Sequence, residues 1–422
     1  MQRVREFCHA EDFSKDFMNR ILQLVFLVTL SSSLLFAKPV AKDLPRVFLL
    51  DAKILAAQKQ QFVKMGAKAP LAAAAMHAAD QAMKEGPFSV MQKDMPPPTG
   101  DKHDYMSLAP YFWPDPKSPN GLPYIRRDGE RNPEISKIPD HGNMGRLGRD
   151  ARALALAYYL TGNEIYASRA ALLLRTWFLD PATRMNPNLQ FAQGIPGVNH
   201  GRPTGVLESQ DLTYVVDAIG LLAGSKNWSA KDQKEMEAWF RSYIKWLQES
   251  PNGMGERNAK NNHGTYYDIQ LADFALFLGD RELARQVITE SEKKRIASQI
   301  EPDGSQPLEL ARTRAFSYSV MNLRGLMALA QLGEPLDVDL WAFKTSDGRS
   351  IRKALDFLAP FAAGQKKWEY KQITGLNPAE LSPLLLRAAA NYHEPKYDQL
   401  ARKLESSSDS VDVLLLQAAL KN

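Results

Sequence analysis

The chain has 422 residues, 44% of them apolar, enough to bury a large core, and its 53 basic and 48 acidic residues leave a formal charge of +5. That mild excess, without a basic run or a nucleic-acid module, speaks against nucleic acid and accords with a polyanionic partner. The one cysteine, Cys8, lies so near the start that cysteine nucleophiles and thiolate metal sites are excluded from everything after it.

Residues 18–37 read MNRILQLVFLVTLSSSLLFA, a basic start, an apolar run and a small-residue end, which is the layout of a secretory signal peptide. The polar stretch 1–16 would make a poor leader to it, so Met18 is the expected true start, residues 1–37 an upstream extension plus signal, and 38–422 a single mature domain. A retained membrane anchor is the competing reading. Residues 1–37 hold four basic and four acidic residues, so their removal leaves the charge at +5. The mature protein is expected outside the cytoplasm, in the periplasm, with no stable membrane insertion.

Residues 94–140 are rich in Pro, Gly and aromatics, and Tyr105, Tyr111, Phe112, Trp113 and Tyr124 argue for an ordered loop. From about residue 142 apolar residues recur at three and four: ALALAYYL over 153–160, ASRAALLLRTWF over 167–178, MEAWFRSYIKWL over 236–247, LADFALFL over 271–278 and MNLRGLMALAQL over 321–332. The fold class is all-α. Turns at Gly162, Gly224, Gly279 and Gly333 follow apolar helix ends as left-handed caps, at intervals of 62, 55 and 54 residues. Those intervals are too long and uneven for a short-repeat solenoid, and they fit helical hairpins closed into an α/α toroid or incomplete barrel. A second long loop, NPNLQFAQGIPGVNHGRPTGVLESQ, spans 186–210; beyond about 340 further helices are expected, with KKWEYKQI (366–373) as an aromatic loop.

Two segments carry chemistry. KNNHGTYYD places Asn261, Asn262 and His263 ahead of a helical run; a neutral imidazole can take a proton and an amide can donate to a carboxylate or enolate, although Asn is also a common helix N-cap. No HExxH or close His/Asp pair accompanies them, so no metal and no cofactor is expected. LELARTRAFSYSVMNLRG, 308–325, places Glu309, Arg312, Arg314 and Tyr318 on a helical pattern, with Arg314 and Tyr318 sharing a face. An arginine can hold a carboxylate and lower the pKa of a neighbouring tyrosine; a salt-bridged surface face is the alternative.

Together NNHGTYYD, the LGD that ends its helix, ARTRAFSYS, YFWPDP…GLPYIRRDG and GIPGVNHGRPTG resemble the alginate lyase superfamily of α/α-toroid polysaccharide lyases over about residues 90–375. The resemblance implies Asn262, His263 and Tyr318 as active-site residues, with Arg312 or Arg314 beside them. In the best-known members an arginine stands seven residues before the tyrosine; here that position is Ala311, which points to a sister family. The implied reaction is β-elimination on a 1,4-linked uronate polymer, alginate first and glucuronan second, by side chains alone. If C5–H and O4 lie on one side of the sugar, as in mannuronate and glucuronate, Tyr318 can move both protons; in guluronate they lie on opposite sides and His263 is the more natural base.

Candidate substrate contacts are His200 and Arg202 in the second long loop, Tyr111, Trp113 and Tyr124 in the first, and Tyr267 four residues after His263. His141 reads equally as a helix cap. A glycoside hydrolase of the same barrel type, using carboxylates such as Glu208, Asp211 or Glu309, is the rival enzyme class, and a non-catalytic binder of acidic polysaccharide is the third reading.

Overall fold

The glycine turns divide the chain much as its pattern predicts, with one exception. The computed structural model describes residues 44–404 and 410–421; the expected signal peptide, with Met18 as its expected start, and Cys8 lie outside the described residues. Gly162 and Gly279 close their helices in the left-handed conformation, at φ 73° and 78°, and Gly224 stands at 85°. Gly333 does not: at φ −74° it stays right-handed, and the left-handed residue is Asp337, at 58°. Glycine is needed at 333 for room, because a Cβ there would run into the Val338 carbonyl.

The helices are α1 (Ala52–Met65), α2 (Pro70–Ala82), α3 (Asp140–Thr161), α4 (Glu164–Leu174), α5 (Leu212–Leu221), α6 (Ala230–Glu249), α7 (Pro251–Arg257), α8 (Asn262–Leu278), α9 (Arg281–Ser291), α10 (Ala315–Gly333), α11 (Ile351–Ala362), α12 (Ser382–Tyr392), α13 (Pro395–Leu404) and α14 (Val411–Ala419). Side-chain caps start many of them: Asp51 for α1, Asn163 for α4, a Ser229–Asp232 capping box for α6 and Asp280 for α9. Sequential pairs α3/α4, α8/α9 and α12/α13 pack on each other, the hairpins of an α/α toroid within the unit Pro45–Asn422. Fifteen of the seventeen residues of α8 are buried, which makes it a central element touched by α5, α6, α9 and α10. An aromatic stack of Phe178, Trp239, Phe240, Tyr243 and Phe274 fills the space between α6 and α8. No described helix is long and apolar enough to cross a membrane.

The two long loops form a layer of their own. Strand β1 (Met106–Leu108) pairs in parallel with β4 (Phe191–Gly194), and β2 (Phe112–Trp113) pairs antiparallel with β3 (Ile125–Arg126). Tyr124 N donates to Pro196 O at 3.0 Å, a second tie between the loops. Their anchor in the helices is a fully buried pair, Lys93 Nζ to Asp140 Oδ2 at 2.9 Å, with Met106 N donating to the same oxygen.

The segment 308–325 departs from its pattern. A one-turn helix ends at Leu310, and α10 starts only at Ala315; Arg314, at φ −125° and ψ 57°, is its cap residue. Tertiary pairing pulls the chain out of the helix there: Ala315 N donates to Lys371 O at 2.9 Å and Ile373 N to Thr313 O at 3.0 Å. Arg312 therefore precedes the helix and Arg314 only caps it, so the helical face expected to be shared by Arg314 and Tyr318 does not form.

Candidate active site

His263 stands in the first turn of α8 with its partners fixed by buried groups. Its Nδ1 lies 2.6 Å from Glu256 Oε1, with Glu256 only 1% and the His263 side chain 17% exposed. An ionised carboxylate can only accept, so Nδ1 is the donor of this bond, and in the neutral ring the lone pair lies on Nε2. Asn262 is not the helix cap. That position is Asn261, and Asn262 instead donates from its backbone N and its Nδ2 to the two oxygens of Glu309, each at 2.7 Å. Burial pushes the Glu309 carboxyl up against the two Asn262 bonds that favour its charged form.

Behind this pair sits Arg295, 2% exposed and turned inward from a π-helical turn at Glu292–Ile296. It binds Asp268 and donates to the carbonyls of Ala259 and Arg257 at 2.8 and 2.9 Å, clamping the strand of chain that leads into Asn262. A Cβ on Gly264 would strike both Arg295 and the Ala259 carbonyl, which explains the glycine directly after the histidine.

Tyr318 lies in the first turn of α10. Its hydroxyl donates to Tyr111 Oη at 2.8 Å, and the Arg312 guanidinium carbon is 3.8 Å from the centre of its ring. Burial and the Tyr111 hydroxyl push the Tyr318 phenol well up, and Arg312 only partly opposes them. This corrects the expectation of a lowered tyrosine: the resting group is a firmly protonated donor. Arg312 is held in turn by Asp128, with Nη2 at 2.8 Å and Nε at 3.1 Å, and Thr313 N and Oγ1 bind the same carboxylate. Burial would raise Asp128, but these donors outweigh it and keep the group well below the usual carboxylate range. Glu309, whose carboxylate holds Asn262, also accepts from Arg312 N at its backbone O, at 3.1 Å, so the His263 and Tyr318 halves are joined through this residue.

The remaining candidates fall in different places. Tyr111 reaches the Tyr318 hydroxyl. Arg202 donates to Gln193 Oε1 at 2.6 Å and lies over the Phe112 ring, while His200 is exposed beside it in the chain. Trp113 donates to Glu130 O and carries Arg127 over one face, and Tyr124 binds Glu134, which pushes its phenol up to about 12; both hold the loop in shape. Arg314 sits at the start of α10 in a backbone bridge to Gln372. Tyr267 is not available to a polymer: it is 1% exposed and donates to Leu247 O inside the core, because position 267 faces α6. His141 is the second residue of α3, with Nδ1 3.7 Å from Glu208, and Glu208 is taken by Tyr105 and Ser107. No group of three or more His, Cys, Asp or Glu among the described residues is placed to hold a metal. The sequence reading missed Glu256, Asp128 and Gln193, whose partners lie 7, 184 and 9 residues away; only the first of these spacings, within one helix-turn-helix segment, offered a local signal.

Comparison with known proteins places this geometry. The family model described as alginate lyase matches residues 89–368. A crystal structure of an alginate lyase from Bacteroides ovatus is 39% identical, covers 88% of this chain and 99% of its own, and superposes with a TM-score of 0.84. Alginate lyase A1-III from Sphingomonas species A1 is 15% identical over 85% of this chain and 92% of its own, with a TM-score of 0.53, and a histidine-to-alanine variant of A1-III complexed with tetrasaccharide is 17% identical over 87% and 93%, at 0.55. At those identities the A1-III matches speak for the toroid alone. No curated protein matches the chain. With most of its length matched by the family model and by a close structural relative, the chain belongs to the alginate lyase family and is a polysaccharide lyase.

Proposed function

We propose that the protein cleaves 1,4-linked uronate chains of alginate by β-elimination, with His263 as base and Tyr318 as acid. The observation that carries this division is the 2.6 Å bond from His263 Nδ1 to buried Glu256, which leaves Nε2 as the proton acceptor. Tyr318, firmly protonated, is the complementary donor. In the first step Nε2 takes the C5 proton, and the electron pair moves toward the uronate carboxylate to give an enolate-like species. Asn262 retains one amide N–H beyond the one bound to Glu309, and Arg312 lies against the Tyr318 ring; these are the donors proposed to stabilise that charge. In the second step the C4–O4 bond breaks, the C4=C5 double bond forms, and Tyr318 gives its proton to O4. Tyr111, which accepts from Tyr318, holds the phenol in place until the leaving oxygen replaces it.

A base and an acid on separate side chains suit a sugar whose C5–H and O4 lie on opposite faces, so guluronate units are the favoured position of cleavage and glucuronan the weaker alternative substrate. Residues 18–37 support export, with the periplasm as the proposed site of action. The test is the ultraviolet absorbance of the 4,5-unsaturated uronate during digestion of polyguluronate, polymannuronate and glucuronan by the 38–422 chain. A rise fastest on polyguluronate is expected; a folded protein silent on all three would remove the elimination reading, and a rise only on glucuronan would reassign the substrate.

A further inference from the structure

Arg202 stands beside this site with no carboxylate paired to it among the described residues. Arg202 is partly buried, and burial pushes its guanidinium down to about 10, yet it forms no ion pair among the described residues. Its one hydrogen-bond acceptor in side-chain contact is neutral Gln193 Oε1, at 2.6 Å, the Phe112 ring lies 5.1 Å from its guanidinium carbon, and its Nε is buried without a partner. The acids within electrostatic reach, Glu208 and Glu256, are already engaged by Tyr105 and Ser107 and by His263.

The acceptor that aims this guanidinium is itself held in an uncommon conformation. Gln193 is one of three described non-glycine residues with positive φ, at 52°, and it is 6% exposed. Its backbone N donates to Ser107 Oγ at 2.8 Å, that hydroxyl donates to Glu208, and Arg202 N returns to Ala192 O at 3.1 Å. Backbone strain of this kind persists where surrounding bonds over-determine it, and here the strained residue points at a charged group. The position is also close to the reacting centre: a Cβ on Gly255, next to Glu256, would meet the Pro203 ring, so α7 and the residue after Arg202 are in direct contact.

We infer that Arg202, aimed by Gln193 and backed by Phe112, is a receptor for the carboxylate of a hexuronate residue in the bound polymer, at a subsite beside the bond that is cut. This rests on the reading of the chain as a uronate-polymer lyase, and it adds the group that distinguishes an acidic chain from a neutral one. A guanidinium offers a two-pronged donor that matches a carboxylate, and the substrate supplies the anion the protein leaves out.

The experiment uses the Tyr318→Phe protein as a non-cleaving host and measures by calorimetry the binding of an oligouronate and of the same oligomer with its carboxyl groups reduced to alcohols. Added Arg202→Gln should weaken the oligouronate by about 10- to 100-fold, the worth of a charge-assisted pair, and leave the reduced oligomer unchanged. Gln193→Leu, which keeps the charge but removes the aim, should weaken only the oligouronate, by about 3- to 10-fold. Equal losses for both oligomers, or none, would overturn the inference. Should Arg202→Gln fail to fold, equal binding of the two oligomers by the host alone would overturn it as well. Failure of the lyase reading looks different: the wild type would release no unsaturated product from any polyuronate while the host still preferred the charged oligomer.

Discussion

The His263 half and the Tyr318 half of the site are built by opposite means. His263 and Asn262 begin the most buried of the described helices; their partners Glu256 and Glu309, and Arg295 behind them, are at most 2% exposed. Tyr318 also begins a helix, but what surrounds it comes from loops: Tyr111 and Asp128 from the first, and the 371–373 segment that pins the start of α10. The proposed base is thus placed by the core, and the proposed acid by a layer that rests on it. On the proposed assignment such a division fixes the proton acceptor before substrate arrives and leaves the donor side to be completed by groups a polymer can displace.

Three substitutions bear on that contrast. Tyr318→Phe should have the largest effect, a loss of kcat of at least about 1,000-fold with folding intact, because it deletes the donor without opening the core; initial rates with a melting curve check it, and normal turnover would remove Tyr318 from the reaction. Next comes Glu256→Gln. The amide can present its N–H to Nδ1 and so allow the wrong tautomer, and kcat should fall about 100-fold while polymer KM changes little. A much smaller loss would mean that the rigid half matters less than its burial implies.

Asp128→Asn should have the smallest catalytic effect and a visible effect on stability. Removing the anion from Arg312 and Thr313 should cost about 2 kcal/mol in denaturant unfolding at neutral pH. Because the folded group is held below its ordinary value of 3.8, its contribution is complete above that value and is lost as pH falls below it. The difference between wild type and variant should therefore shrink on acidification below about pH 4 and stay constant above it; a difference that persists at low pH would mean that the ion pair is not its source.

Much of this was legible in the sequence, for reasons that differ by element. Helical periodicity and the terminal glycines at 162 and 279 are local signals, and local structure obeyed them. Gly333 was misread because a glycine required by a neighbouring carbonyl looks the same in sequence as one required by its φ. The break at 311–314 was invisible, since it is imposed by residues 371–373 about sixty positions later. The motif residues Asn262, His263 and Tyr318 stood out through family likeness. Glu256 and Asp128, which hold His263 and Arg312, did not, because an isolated Glu or Asp in a polar segment carries no periodicity to betray its burial. Tyr267 erred the other way: proximity in sequence to His263 suggested the cleft, while helical geometry turned the ring into the core.

Gly264 and Arg295 touch no substrate in this arrangement, yet the room one leaves is the room the other fills. A saturation scan of the chain under selection for growth on a uronate polymer should find position 264 closed to every other residue and position 295 nearly so, as intolerant as His263 itself. A map of tolerance would then rank a glycine and a buried arginine among the essential residues, and anyone reading it for chemistry alone would assign two participants too many.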